Sequence, residues 1–390
     1  MKDNSNKKEK KGSFISRLSK RVFIALAVIF ALVVLVVGVL VGVFFALKSS
    51  GRLSMEERRN EQISAIPDYV YDPNIVNHEG KKYRYNEDLT TILFMGVDTG
   101  KVQLEHEANM LDIARRRAEE NGTDIEYELE KFQNRLVEQG GSLVIEDGVG
   151  QADVLMLLVI DEKNEQATII SIDRNSMSYF EAFDAEGNSY GSSEGQLALA
   201  YSYGDGSHLS CEMTVGAVSD FLYEVPIHAY YSMKYAAIME LNDAVGGVEV
   251  TIPTDMTMVS QYLKEGETIK LDGKRAALFL SARQNVGDGS NAGRLERQKQ
   301  YIFSFIDTAI DAVKKDWGLP TRLYNSLASN SCTDLSADEV VYLADLASRV
   351  DVTYHSISGT TDTSSGIAQF RPDEEELWCM ILDIFYICED

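Results

Sequence analysis

From Val22 to Leu47 the chain runs for 26 residues without a charge, built only from Val, Leu, Ile, Phe, Ala and Gly. No other feature constrains the chain as strongly. A helix needs roughly 20 apolar residues to cross a bilayer core, whereas the apolar part of a cleavable leader spans only about 7–15. The run therefore reads as one retained transmembrane helix. Of the 21 residues ahead of it, eight are Lys or Arg and two are Asp or Glu. A basic flank stays on the cytoplasmic side, which puts everything after Lys48 outside the cell. Arg52, Arg58 and Arg59 follow the run, but Glu56, Glu57 and Glu61 accompany them.

The 390-residue chain has a formal net charge of −24, and the part beyond the basic tail is more acidic still. Such a body argues against general nucleic-acid binding, which leaves a basic footprint. A phosphate site here has to be a local basic patch. The cysteines are Cys211, Cys332, Cys379 and Cys388. An external setting permits a Cys379–Cys388 disulfide, but spacing leaves free thiols equally open.

Residues 48–88 are polar, contain Pro67 and Pro73, and read as a stalk. Thr91 to Val97 is a buried strand ending at Asp98, and Val154 to Ile160 and Ala167 to Ile172 are two more. Residues 101–150 interrupt the pattern with a charged, helix-prone insertion that breaks at Asn121-Gly122. Its Arg115-Arg116-Arg117 triplet is a solvated helical face or, alternatively, part of a partner-binding hairpin. Cys211 to Leu222 and Met233 to Val245 read as helices, and Val248 to Ile252 as a strand. Gly273 to Leu280 is a helix or strand, and Ala292 to Lys315 is a long helix. Further helices are expected at Pro320 to Leu327, Ser336 to Ala347 and Asp373 to Ile387, with a strand at Val352 to Ser358. Strands alternating with helices give an α/β domain over 89–315 with a mixed sheet, followed by an α/β extension over 316–390.

One stretch points to chemistry. Gly293-Arg294-Leu295-Glu296-Arg297-Gln298 opens the long helix, ten residues after Arg283. Arg294 lies i,i+3 from Arg297 and i,i+4 from Gln298, so the three share one side of the helix. Guanidinium forks near a helix N-terminus suit an anion with several oxygens. Competing chemistries find no footing. The five histidines have no metal-ligand spacing with a cysteine. No Gly-rich Walker loop is present. Ser171 and Ser176 flank Arg174 without a nucleophile elbow.

The motifs, taken in order, resemble the LytR–CpsA–Psr family. They are Ile92-Leu93-Phe94-Met95-Gly96-Val97-Asp98, Ala152-Asp153-Val154-Leu155-Met156 and Ile170-Ser171-Ile172-Asp173-Arg174-Asn175. After them come Leu199-Ala200-Tyr201-Ser202-Tyr203-Gly204, Asn242-Asp243-Ala244-Val245-Gly246-Gly247-Val248 and Leu280-Ser281-Ala282-Arg283, closed by Gly293-Arg294 and Arg297-Gln298. The basic tail, single span and external domain match the family layout.

The resemblance implies an α/β/α sandwich with a mixed central sheet, preceded by one transmembrane helix. It implies a membrane-anchored transferase in cell-wall biogenesis. Such an enzyme moves an anionic glycopolymer, a teichoic acid or capsular polysaccharide, from a polyprenyl-pyrophosphate carrier to peptidoglycan through a phosphodiester. The prenyl chain would lie in an apolar pocket, expected here between the Val154 to Ile160 strand, the Cys211 to Leu222 helix and the long helix. By matching positions, Arg174, Arg283, Arg294, Arg297 and Gln298 would hold the pyrophosphate. Asp98 and Asp153 would hold Mg²⁺, and Asp98 would also orient or deprotonate the acceptor hydroxyl.

The chain departs from the family pattern at several of these places. Gln151 stands where an Arg is usual, and Asn175 where an Asp follows the strand-end Arg. Gln196 and Ala198 replace a Lys and an Asn. Asn285 replaces the second Arg of an Arg-x-Arg pair, and Asn291 an Asp, with Asp288 nearby. The expectation is a divergent transferase of altered donor or lowered activity. The alternative is a wall-assembly scaffold that binds the lipid-linked polymer without turning it over. For the topology, protease added to intact cells should digest the chain beyond Lys48; full protection behind a permeable wall would contradict it.

Overall fold

Continuous apolar runs bounded by turns fold as strands covered on both faces. In the computed structural model, residues 42–61, 75–99, 113–138, 149–183, 189–282, 286–287 and 291–389 are described. They begin with helix α1 (42–61), strands β1 (Ile75–His78), β2 (Lys81–Tyr85) and β3 (Leu89–Val97), and helices α2 (113–121) and α3 (Ile125–Glu138). Strands β4 (Ala152–Asp161), β5 (Gln166–Ile172), β6 (Met177–Phe183) and β7 (Ser189–Gln196) follow. Helices α4 (Leu197–Ala200) and α5 (His208–Phe221) lead to β8 (Ala229–Lys234), α6 (Tyr235–Ala244), β9 (Val248–Thr251) and β10 (Thr268–Leu271). Next come α7 (Gly273–Ser281), α8 (Asn291–Lys315), α9 (Leu319–Ser326), β11 (Ser331–Thr333) and α10 (Ala337–Ala347). The chain closes with β12 (Asp351–Ser356), β13 (Gly359–Asp362), β14 (Gln369–Pro372), α11 (Glu374–Phe385) and β15 (Tyr386–Cys388).

The central sheet has six strands in the order β11-β8-β3-β4-β5-β12. It is mixed, as expected: β3 is antiparallel to β4 and parallel to β8, and β5 is antiparallel to β4 and parallel to β12. Side chains alternate across it with the period of two that strands impose. Leu93, Met95, Leu155, Leu157, Ile170 and Ile172 pack on one face with residues of α5 and α11. Ile92, Phe94, Leu158 and Ile160 pack on the other with Met55 of α1 and Tyr342 and Leu346 of α10.

That second face also holds a cavity of about 230 Å³. Phe94, Tyr231 and Met233 of the sheet form its floor, and α6, α8, α9 and α10 its walls. All its lining side chains are apolar or aromatic. The Tyr231 and Tyr324 hydroxyls donate to Ser331 Oγ (3.3 Å) and to the Leu335 carbonyl (3.0 Å), so these residues offer rings rather than polar groups. This cavity differs from the pocket expected from sequence. Of the three elements named for it only α8 contributes, through Phe305, Ala309 and Val313. Helix α5 lies in the packed core of the opposite face.

The insertion forms two helices broken at Gly122, which takes the left-handed conformation at φ 65°. The segment read as a stalk is more ordered than a linker. Its first part continues α1 to residue 61, and β1 and β2 form a small sheet with β15. The helix expected to reach Ile387 stops at Phe385 because Tyr386 turns extended and pairs with Tyr85. Strands β6, β7, β8, β10, β11, β13 and β14 lie where the sequence pattern indicates no strand. All four cysteines are free thiols. The apolar run lies outside the described residues except for 42–47, and no described helix is long and apolar enough to cross a membrane.

Helix α1 is fastened to α10 by charge. Glu339 is fully buried and accepts from Arg58 Nε (2.7 Å), Ser54 Oγ (2.6 Å) and the Ser336 amide (2.7 Å). Arg58 also reaches Asp334, and Lys48 pairs with Asp345 at 2.7 Å. Burial pushes the Glu339 pKa up, but Arg58 and the hydroxyl and amide donors outweigh it, and the net direction is down. A carboxylate depressed in the folded state contributes stability above its unfolded pKa and loses it as pH falls through the folded one. Arg58→Ala should therefore cost about 3 kcal/mol at neutral pH, the low end for breaking a buried pair, because Arg58 is partly in water. In denaturant titrations the gap from the parent should be constant near pH 7 and narrow below about pH 4.3.

Candidate functional site

The site forms where β3 ends and β4 begins. Val97 pairs with Ala152, but Gly96 pairs with Val154, so Asp153 is an extra residue in a β-bulge. A bulge turns a side chain away from the regular alternation, and bulges recur beside functional sites. Here it aims a 3% exposed carboxylate at two arginines. Arg174 Nη1 pairs with Asp153 Oδ1, and Arg294 Nη1 lies 3.4 Å from Oδ2.

Each arginine is delivered by a local structure legible in its sequence. After β5, Asp173 Oδ1 accepts the Asn175 amide (2.8 Å) and side-chain Nδ2 (2.9 Å), an Asx-type turn that swings Arg174 back over the sheet end. Arg294 sits in the first turn of α8. Asp98 follows β3 directly: its amide donates to the Gln151 carbonyl (3.0 Å), and its Oδ1 accepts the Gln151 amide (2.6 Å). Its Oδ2 has no partner among the described residues.

Gln151, flagged as a lost arginine, has a positive task that sequence reasoning missed. Its side-chain Oε1 accepts from Arg174 Nη2 at 3.2 Å while its backbone holds Asp98. One residue thus ties the aspartate of one strand to the arginine of another. Gly150 precedes it at φ 87°, and a Cβ there would lie 2.3 Å from Thr99 Oγ1 and 3.0 Å from Asp98 Oδ1. Ser202 Oγ donates to the Gly150 carbonyl (2.8 Å), so the Leu199 to Gly204 motif clasps this corner. Two other departures explain each other. Gln196 Nε2 donates to Asn175 Oδ1 at 3.1 Å, so a neutral amide pair stands where the family pattern has Lys and Asp.

Arg297 and Gln298, expected at the pyrophosphate, hydrogen-bond to backbone carbonyls. A helix leaves its last carbonyls unbonded, and these two side chains fill that need at the end of α7. Arg297 donates to the Phe279 carbonyl (3.1 Å) and to the Ala282 carbonyl, and Gln298 Nε2 to the Leu280 carbonyl (3.2 Å). Burial and then the neighbouring Arg294 charge push the Arg297 pKa down to about 10, so it stays cationic at neutral pH. The Asn242 to Val248 motif is a second fastening. Buried Asn242 donates to the Leu271 carbonyl (2.9 Å) and accepts from Tyr301 of α8 (3.1 Å), while Asp243 Oδ1 accepts the Gly273 amide (2.7 Å). Arg283, Asn285 and Asp288 lie outside the described residues.

The formal charges of Asp98, Asp153, Arg174 and Arg294 cancel. A pyrophosphate arriving here is therefore not neutralised by these four alone, and a divalent cation would close the balance. Among the described residues no three His, Cys, Asp or Glu side chains cluster to hold a metal. Mg²⁺ is generally bound by one or two carboxylates with substrate phosphates completing its shell, and Asp98 and Asp153 are the carboxylates at this corner. For Arg297, replacement by Leu should leave two carbonyl contacts at the end of α7, those of Phe279 and Ala282, unmade and cost about 3 kcal/mol in chemical denaturation.

Residues 53–381 match the LytR_cpsA_psr family. The polyisoprenyl-teichoic acid–peptidoglycan teichoic acid transferase TagU of Enterococcus faecalis is 26% identical over 230 residues, 58% of this chain and 70% of that protein. TagV of Bacillus subtilis, named for the same activity, is 30% identical over 165 residues, 40% of this chain and 39% of that protein. TagU of Bacillus cereus is 30% identical over 156 residues, 40% of this chain and 46% of that protein. The chain thus spans less than half the length of these last two. In fold it resembles protein gbs0355 of Streptococcus agalactiae (TM-score 0.54, 19% identity, 76% of this chain and 86% of that one). It also resembles TagT bound to LIIa-WTA (TM-score 0.51, 16% identity, 82% and 93%).

Proposed function

This chain belongs to the LytR–CpsA–Psr family, and from that premise we propose that it is a glycopolymer–peptidoglycan transferase. It would take an anionic polymer of the teichoic acid class from a polyprenyl-pyrophosphate carrier and join it to a peptidoglycan hydroxyl. The observation that carries this reading is the Asp153 carboxylate held between Arg174 and Arg294 beside Asp98, at one end of a helix whose other half lines an apolar cavity. The rise from Arg294 to Phe305 along α8 is about 17 Å, so one element presents cations to the phosphates and apolar surface to the tail. We place the domain outside the cell as an α/β/α sandwich carried on the Val22 to Leu47 span.

Phosphoryl transfer asks the protein for position and charge neutralisation rather than covalent chemistry. In the proposed step the acceptor hydroxyl oxygen bonds to the sugar-linked phosphorus, and the bridging P–O bond breaks. Polyprenyl phosphate leaves with that electron pair, and the hydroxyl proton passes to Asp98. Arg174 and Arg294 hold the phosphate oxygens, and Arg283 would join them. Arg297 and Gln298 act from behind, keeping the end of α7 and the start of α8 in register. Mg²⁺ on Asp98 and Asp153 would neutralise charge gathering on the leaving phosphate.

The test is release of polyprenyl phosphate from a lipid-linked polymer with a peptidoglycan acceptor. Asp98→Asn should lower turnover about 10²-fold or more while carrier binding persists, the usual scale for losing a general base. Arg174→Gln should weaken carrier binding and turnover together. Carrier binding by the parent chain without transfer to a competent acceptor would reject the enzyme and favour the scaffold.

A further inference from the structure

The corner between α8 and α9 carries features that the transfer reaction does not use. Trp317 is 49% exposed there, and Phe44 of α1 packs edge-on against it with ring centroids 4.9 Å apart. Val43 and Phe45, on either side of Phe44, are 51% and 60% exposed. Lys314 and Lys315 end α8 exposed just before Trp317, while nearby Asp316 is already paired with Arg322. An aromatic corner with bare aliphatic neighbours and two lysines stands out on so acidic a protein.

The length of the apolar run says what covers it. Residues 22–41 already supply the roughly 20 residues that cross a hydrocarbon core. Residues 42–47 belong to the same run and are helical in α1. At about 1.5 Å per residue they rise about 9 Å, close to the depth of one headgroup layer. Phe44 sits midway along that rise. Because α1 is fastened to α10 through Lys48, Ser54 and Arg58, whatever packs on Phe44 is held at the same depth. Trp favours that level, where its ring is apolar and its N–H is wet, and Lys favours anionic headgroups.

We infer that the Trp317–Phe44 corner, with Lys314 and Lys315, rests in the headgroup layer of the outer leaflet and seats the domain on the membrane. The inference rests on the membrane-anchor reading. It adds an orientation: Val313, Leu319 and Pro320, which flank Trp317 in the chain, line the apolar cavity. The cavity's α8–α9 end therefore faces the bilayer, and a prenyl tail reaches it without crossing open water.

Trp317 and Trp378 are the chain's two tryptophans, so the test is spectroscopic. Trp378 packs on Tyr223 near the core of the opposite sheet face and serves as an internal reference. Full-length chain carrying Trp378→Phe is reconstituted into phosphatidylcholine–phosphatidylglycerol vesicles, some with lipid brominated near the headgroup end of the acyl chain. Trp317 emission should lose most of its intensity in the brominated vesicles, and less when bromine sits near the methyl end. Full-length chain carrying Trp317→Phe should report Trp378 emission that bromine leaves unchanged. If the Trp378→Phe chain floats with the vesicles but Trp317 is not quenched, the seating is wrong and the anchor reading stands. If the chain does not float with the vesicles, both fall.

Discussion

A single buried carboxylate, Asp153, organises the candidate site. It joins the start of β4, the turn after β5 and the first turn of α8 through two guanidinium groups. An ion cluster of this kind adds little net stability, because desolvation offsets its Coulomb attraction. Its value is positional. With one strand register fixed by the bulge, two distant parts of the chain must converge on one point.

That point is supported from behind by groups that never need to touch a substrate. Arg297 and Gln298 bind the carbonyls at the end of α7, and Tyr301 binds Asn242, so α8 is pinned to the preceding helices at successive turns. Helix α8 then runs from the charged cluster to the apolar cavity as one stiff element. A lipid pyrophosphate has the same two-part character, a multiply charged head on a uniformly apolar tail.

The departures from the family pattern acquire a physical meaning. Gln151 gives up a positive charge yet keeps Asp98 and Arg174 in contact. Asn175 and Gln196 replace opposite charges by amides that bond to each other, so the charge balance at that spot does not change. These are compensated exchanges rather than decay. They leave Arg174 and Arg294 as the described cations of the cluster.

Much of this was open to reading along the chain. The mixed sheet followed from the apolar runs of β3, β4 and β5, and α8 from its periodicity. The resemblance to the LytR–CpsA–Psr motifs picked out Asp98, Asp153, Arg174 and Arg294, because motif order is a property of the chain itself. Other features were invisible for a physical reason: they depend on which surfaces meet. A one-residue bulge leaves no mark in composition, yet it decides where Asp153 points. Arg294 and Arg297 look alike on a helical wheel, and only the nearby end of α7 separates a cluster arginine from a capping one. The sequence called for an apolar pocket, but where the described cavity lies depended on how α5, α8 and α10 divided the two sheet faces. The sequence by itself determined the elements and the chemical groups they carry. The tertiary structure decided which groups share a charge, which are spent on backbone carbonyls, and where space is left, because those are properties of packing between segments far apart in the chain.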